Sequence, residues 1–220
     1  MRRYASKRSY VWSANIAYSV GLIASDGCLQ KDGRHIDLTS TDTEQLTNFS
    51  LALGRDFYIG EKSSGGGRTA YRIQFGDVAY YDFLLQVGLT PAKSKTIGAL
   101  DIPDAYYADF LRGLFDGDGS VHGYMDPRWR SSFMFYVSFA SASLCFIDFL
   151  RMSNSRLVGN LGQGSVRNST RSLSLAYAKA DSHRLFSYMY YDTNCISLKR
   201  KRDKLSAFVQ KDLADIIARQ

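Results

Sequence analysis

Two copies of one nine-residue motif constrain the architecture of this chain more than any other feature. SVGLIASDG at residues 19–27 aligns without gaps with LRGLFDGDG at residues 111–119, and both copies end in Asp-Gly, at Asp26 and Asp118. An internal repeat of this kind indicates two equivalent structural units. We therefore predict a first repeat at residues 1–98 and a second at residues 99–220, packed together as one pseudo-dimeric unit.

The same order of patterns follows each copy of the motif. Residues 35–40 alternate, with Ile36 and Leu38 on one face, which is typical of a half-buried strand. Each repeat is predicted to have the order αββαββα, which gives an α+β fold with pseudo-two-fold symmetry. Further strands are predicted near residues 68–75, 133–139 and 172–177, helices near 42–54, 78–87, 144–152, 183–190 and 199–218, and a hairpin turn at 63–67.

Small residues recur four apart in both motif helices, and this spacing lets two helix backbones approach closely. Packing through these faces would place the two helix ends side by side and bring Asp26 and Asp118 together. The small residues are Ala17, Gly21 and Ser25 in the first copy and Gly113 and Gly117 in the second.

Two adjacent carboxylates at two negative helix ends repel each other unless a cation is present. Magnesium suits such a site because it accepts a few carboxylate oxygens and retains water, and Ca²⁺ or Mn²⁺ could substitute for it. Unpaired carbonyls at the helix ends, at Ser25 and Gly117, are expected as further ligands. Metal-bound water beside a phosphate would complete a site for phosphodiester hydrolysis.

The paired motifs resemble those of the LAGLIDADG homing endonucleases and related maturases, and the resemblance covers nearly the whole chain. It implies that Asp26 and Asp118 bind the catalytic metals. It also implies that each repeat contributes a four-stranded sheet to a saddle over double-stranded DNA, which is cut across the minor groove with short 3′ overhangs. The first copy departs from the family pattern at Ala24 and Ser25, positions that vary within the family.

A basic segment closes each repeat, with TPAKSK in the first and ISLKRK in the second. In the family a lysine at this place reaches the cleaved phosphate and stabilises the charge that develops there. By that resemblance, Lys93 and Lys199 are the predicted catalytic lysines. A solvated basic turn is the alternative interpretation for each.

Base recognition is expected from outward-facing strand residues, because a sheet face can enter the major groove. The predicted DNA-binding residues are Gln30, His35, Asp37, Arg72 and Gln74 in the first repeat and Ser120, His122, Tyr136, Ser138, Ser172 and Ser174 in the second.

Composition agrees with a nucleic-acid partner, since the formal net charge is +7 and the isoelectric point about 9.3. The three cysteines are widely spaced, which favours a reducing, intracellular compartment over a disulfide framework. Arg2, Arg3, Lys7 and Arg8 precede an apolar stretch, as in a signal peptide, but a similar stretch recurs in the middle of the chain. We expect a soluble, monomeric protein without a membrane partner.

Other metal chemistry fits the sequence less well. The segment from Asp116 resembles the start of an EF-hand loop, but Val121 and Pro127 stand where that loop needs Gly and Glu. The three histidines lack metal-ligand spacing. The competing hypothesis is a non-catalytic protein on the same scaffold, either a maturase that binds intron RNA or a DNA-binding regulator. The presence of both motif aspartates favours the nuclease.

Overall fold

In the part of the chain that the structure describes, the first repeat contains three helices and four strands in the predicted order. The structure, a computed structural model, describes residues 9–63, 69–127 and 133–217. The predicted turn residues 64–67 and Ala218 lie outside these ranges. The elements of the first repeat are α1 (Ala14–Asp26), β1 (Gly27–Leu29), β2 (His35–Ser40), α2 (Thr43–Leu53), β3 (Gly60–Ser63), β4 (Thr69–Gly76) and α3 (Val78–Val87).

The second repeat follows the same order and adds a long C-terminal helix. Short 3-10 helices at Lys93–Lys95 and Asp104–Tyr106 lie in the segment that joins the repeats. The elements of the second repeat are α4 (Tyr107–Asp118), β5 (Gly119–Met125), β6 (Phe133–Ser141), α5 (Leu144–Leu157), β7 (Ser165–Asn168), β8 (Leu173–Ala178), α6 (Lys179–Met189) and α7 (Lys199–Ile217).

Each repeat forms one antiparallel four-stranded sheet. The strand orders are β1-β2-β4-β3 and β5-β6-β8-β7, so the two sheets have the same topology. Gly27 pairs with Leu38 in the first sheet, and Gly119 pairs with Phe139 at the equivalent place in the second. The predicted α+β fold of two αββαββα repeats is therefore confirmed.

Local sequence signals account for the ends of the helices near the motif. The Ser13 hydroxyl accepts a hydrogen bond from the Ile16 amide at the start of α1, and Asp42 caps α2 through the Glu44 amide. Helix α2 ends at Gly54, whose φ of 59° lies in the left-handed region that glycine tolerates. Gly27 is extended instead, so the chain passes directly from the Asp26 end of α1 into β1.

Helices α1 and α4 lie at the centre of the core and pack against each other. Tyr18, Leu22, Phe110 and Leu114 are buried along these helices, and the inner faces of both sheets cover them. Helix α7 packs on the second sheet and on α6. Among the described residues, no helix is both long enough and apolar enough to cross a membrane.

Candidate active site at the paired helix ends

The close approach of α1 and α4 depends on glycine. A β-carbon on Gly21 would lie 2.6 Å from the backbone nitrogen of Leu114, and one on Gly113 would lie 2.9 Å from the carbonyl carbon of Tyr18. Ala17 is completely buried on the same face of α1. The two helices thus approach backbone to backbone through the small residues that the sequence analysis selected.

Asp26 and Asp118 end these helices and lie next to each other. A β-carbon on Gly117 would lie 2.8 Å from Asp26 Oδ2, so the Asp26 carboxylate lies against the last turn of α4. Loss of hydration, followed by the negative charge of Asp26, raises the pKa of Asp118 to about 6. Burial also raises the pKa of Asp26. The site therefore holds two carboxylates that disfavour each other's ionised form, and a cation would relieve this repulsion.

Gln45 contacts Asp26, and sequence reasoning did not select it. Its Nε2 donates to Asp26 Oδ2 at 2.6 Å, and its Oε1 accepts a hydrogen bond from the Ser40 hydroxyl at 2.8 Å. Gln45 is 3% exposed and lies one helical turn before the buried Phe49. A polar residue on the apolar face of α2 was the sequence signal that could have identified it.

Two lysines border the carboxylates. Lys93 is 6% exposed, and its Nζ donates to the Gly27 carbonyl at 2.7 Å. Lys201 Nζ donates to the carbonyls of Gly117 and Gly119 at 2.6 Å and to that of Phe115 at 2.8 Å. Burial lowers the pKa of Lys93, and it lowers that of Lys201 to about 8. Because Gly27 and Gly119 are equivalent motif residues, the two lysines occupy matching places.

The prediction of Lys199 as the second lysine of the site is wrong, because Lys201 takes that place. Lys199 is exposed at the first position of α7, where its backbone nitrogen donates to Glu44. Two residues along an α-helix turn a side chain by about 200°, so Lys199 and Lys201 project from nearly opposite sides of α7.

The oxygen atoms around the two carboxylates suit a hard divalent cation. Within the described ranges no side chain donates a hydrogen bond to Asp118. Gln45 bonds only Oδ2 of Asp26, so Oδ1 of Asp26 is left as a metal ligand. The Ser25 carbonyl belongs to the last turn of α1, where helix carbonyls lack intrahelical partners. The carbonyl of Gly117 already accepts a hydrogen bond from Lys201, so only its second lone pair is left for the metal predicted there. Among the described residues, the candidate site included, no cluster of three or more His, Cys, Asp or Glu side chains could hold a metal, so this site would rely on two carboxylates and on carbonyl oxygens.

The predicted base-reading residues of the first repeat share one face of its sheet, opposite the buried Ile36 and Leu38. His35 and Asp37 lie on β2, Arg72 and Gln74 lie on β4, and Gln30 follows β1. Direct base contact by Asp37 is contradicted, because this residue is 8% exposed and is covered by its polar neighbours. Asp32, which sequence reasoning missed, contacts His35 Nδ1 through its carboxylate.

The second sheet presents a different face, with hydroxyls and aromatic rings. Ser138 is 6% exposed and shares a 2.8 Å hydrogen bond with Ser120, so direct base contact by Ser138 is also contradicted. The rings of His122 and Tyr136 stack with centroids 5.3 Å apart. Sequence reasoning missed two residues that flank Tyr136. The ring of Tyr124 lies 6.2 Å from the Tyr136 ring, and the guanidinium of Arg167 lies 5.7 Å from the centre of the same ring. Ser174 lies on β8, and Ser172 immediately precedes that strand.

The comparisons with known proteins agree with this fold. Residues 105–174 match the model of the LAGLIDADG-like domain, and no curated protein matches the chain. Residues 105–174 are therefore similar to a LAGLIDADG-like domain, and the two repeats together have the fold of the LAGLIDADG structures described next.

Several solved structures resemble the whole chain at low sequence identity. The homing endonuclease I-WcaI, bound to its DNA recognition sequence, has a TM-score of 0.61 and 12% identity over 88% of this chain and 86% of that one. The meganuclease I-AabMI, bound to uncleaved DNA, has a TM-score of 0.57 and 15% identity over 90% of both chains. Full-length DUF199/WhiA from Thermatoga maritima has a TM-score of 0.56 and 15% identity over 93% of this chain, which spans 63% of that protein.

Proposed function

We propose that this protein is a site-specific double-strand DNA endonuclease of the homing type. The observation that carries the proposal is the pairing of Asp26 and Asp118 at adjoining helix ends, with Lys93 and Lys201 on either side. Each repeat contributes one carboxylate and one lysine. This arrangement suits the hydrolysis of one phosphodiester in each strand of a duplex. Magnesium is the proposed cofactor, and manganese or calcium could occupy the same site.

In this mechanism the chain's own groups hold the phosphates and stabilise the charge that develops on them. Asp26, Asp118 and the Ser25 carbonyl would hold the metal, which supplies a Lewis acid and an acidified water when bound. Lys93 and Lys201 place two positive charges beside the paired carboxylates in fixed positions, because their Nζ atoms are anchored to backbone carbonyls. Fixed charges cost little reorganisation when negative charge accumulates on the phosphate. Gln45 keeps the Asp26 carboxylate oriented through its hydrogen bond.

The DNA is proposed to lie across both sheets and to be cut across the minor groove, leaving short 3′ overhangs. The two repeats, residues 1–98 and 99–220, would act as one pseudo-dimeric unit, so a monomer would suffice. The net charge of +7 favours a polyanion, and the solved structures of I-WcaI and I-AabMI with DNA show similar folds carrying that partner. Intron RNA is a second proposed partner of the same two sheets, and an intracellular location is also proposed.

The second candidate is a non-catalytic DNA-binding regulator or RNA maturase on the same scaffold. One observation favours it. Lys201 Nζ already donates a hydrogen bond to the Gly117 carbonyl, which is one of the expected metal ligands. An ammonium group at that position can neutralise the helix end without any divalent ion.

A cleavage selection tests the two candidates. Purified protein is incubated with a randomised duplex library in magnesium or in EDTA, and both the cut ends and the bound duplexes are sequenced. The endonuclease predicts cuts in magnesium alone, with 3′ overhangs at one long motif. Enrichment by binding without any cut would instead support the second candidate, and no enrichment at all would contradict both.

A further inference from the structure

Asp37 is a carboxylate on the face of the sheet proposed to lie on DNA, where an unneutralised negative charge would repel phosphates. Its side chain is nevertheless almost buried, beneath residues from β4 and from the end of β1. Gln30 Nε2 donates to Asp37 Oδ2 at 2.6 Å, and Gln74 Nε2 approaches the same oxygen at 3.5 Å. Arg72 Nε lies 3.8 Å from Oδ1, an oxygen that accepts no hydrogen bond within the described chain.

This arrangement fixes which polar atoms the neighbouring side chains can offer to a ligand. An ionised carboxylate only accepts hydrogen bonds, so Gln30 and Gln74 must direct their amide nitrogens towards Asp37. Their amide oxygens are then left as acceptors. Arg72 turns its Nε towards the carboxylate and keeps the two terminal nitrogens of its guanidinium as donors; its side chain is 40% exposed.

The backbone around Gln30 is anchored as well. The Gln30 amide donates to the His35 carbonyl at 2.9 Å, and the Tyr81 hydroxyl donates to the Gln30 carbonyl at 2.6 Å. Gln30 therefore cannot follow a change at Asp37 by moving its main chain. Replacing the Asp37 carboxylate would therefore change the orientation of the Gln30 side-chain amide.

We propose that Asp37 is a positioning residue for base recognition. It leaves the amide oxygens of Gln30 and Gln74 as acceptors beside the two terminal donor nitrogens of Arg72. In the major groove, acceptors pair with the amino groups of adenine or cytosine, and a guanidinium pairs with the O6 and N7 acceptors of guanine. The inference rests on the proposed DNA binding, but it is independent of cleavage.

Among the described residues, the second sheet has no equivalent of this cluster. Sheet pairing places Ser138 at the position of Asp37 and Ala176 at that of Gln74. Ser138 bonds Ser120 there, and no charge is involved. The effect of Asp37 should therefore be confined to the half of the DNA target under the first sheet.

The test is binding selection from a randomised duplex library in EDTA, with wild-type protein, Asp37→Asn and the matched control Ser138→Ala. Asparagine keeps the shape of Asp37 but can donate as well as accept, so the Gln30 amide can reverse. We expect Asp37→Asn to lose about tenfold or more of the base discrimination at two or three base pairs of one half-site and to leave the other half-site unchanged. Ser138→Ala should leave the half-site affected by Asp37→Asn unchanged.

Two results would overturn the inference for a protein that binds DNA specifically. One is an unchanged base preference in Asp37→Asn. The other is a uniform loss of affinity at all positions together with a lowered unfolding temperature, which would mean that Asp37 only stabilises the sheet. If the wild-type protein enriches no sequence, the proposed DNA binding itself fails, and the role of Asp37 fails with it.

Discussion

Lys93 and Lys201 reach equivalent carbonyls from different kinds of structure. Lys93 begins a short 3-10 helix, whereas Lys201 lies in the first turn of α7. The motif repeat predicted Asp26 and Asp118, because both occupy the eighth position of the same nine-residue pattern. It could not predict Lys201, because the chain between the last strand and the lysine is longer in the second repeat and the side of α7 that faces the site depends on tertiary packing.

Replacing Lys201 with methionine tests this correction. Three carbonyls would lose their donor, so we expect a loss of about 2 kcal/mol in the free energy of unfolding and a large loss of cleavage rate. Lys199→Met, two residues away on the exposed side of α7, should change neither quantity appreciably. Urea unfolding and single-turnover cleavage measure the two effects, and equal losses in both variants would contradict the assignment.

At the scale of elements, the pairing of α1 with α4 is what joins the two repeats into one site. Periodicity and caps predicted the helices and four of the eight described strands, β2, β4, β6 and β8, because those signals are local. The register of one helix on the other follows from glycine positions, which the sequence shows directly. The contact between Gln45 and Asp26 depends on how α2 packs against α1, which local signals do not contain.

Gly21→Ala should separate the two helices. The added β-carbon would meet backbone atoms of α4, which cannot rotate away, so we expect a loss of about 3 kcal/mol in stability and a reduced rate of cleavage. Gly98→Ala is the control, because nothing lies within 4 Å of a β-carbon there and the change should be nearly neutral. Thermal unfolding of the two variants checks this, and a neutral Gly21→Ala would argue against close helix packing.

Asp116 in α4 should make stability depend on pH. It is fully buried, accepts hydrogen bonds from the Tyr18 hydroxyl and the Leu198 amide, and burial raises its pKa to about 6. Because the pKa of Asp116 is higher in the folded state than in the unfolded state, its protonated carboxyl group stabilises the folded state. This contribution is complete below about pH 4 and is lost as the pH rises through about 6.

Relative to wild type, Asp116→Asn should therefore become more stable by about 2 kcal/mol between pH 4 and pH 8 in metal-free buffer. Urea unfolding of both proteins at the two pH values gives this difference directly. A difference that stays constant with pH would show that Asp116 titrates normally.

For the whole molecule, the pseudo-two-fold fold combines one shared site with two unlike sheet faces. The first sheet carries amides and charges around Asp37, and the second carries serines and stacked aromatic rings. Two unlike faces should recognise two unlike half-sites, so we expect the selected DNA target to be asymmetric. Sequencing of the bound library checks this, and a perfect palindrome would contradict it.

The most direct test of the two-carboxylate site is cleavage of the selected target by Asp26→Asn and Asp118→Asn. Each variant is assayed with magnesium at a concentration that gives the same DNA occupancy as wild type, and the fraction of linear product is measured. We predict that both variants bind the target with nearly unchanged affinity and produce no double-strand cuts. Continued double-strand cleavage by either variant at matched occupancy would show that the paired aspartates are not the catalytic centre.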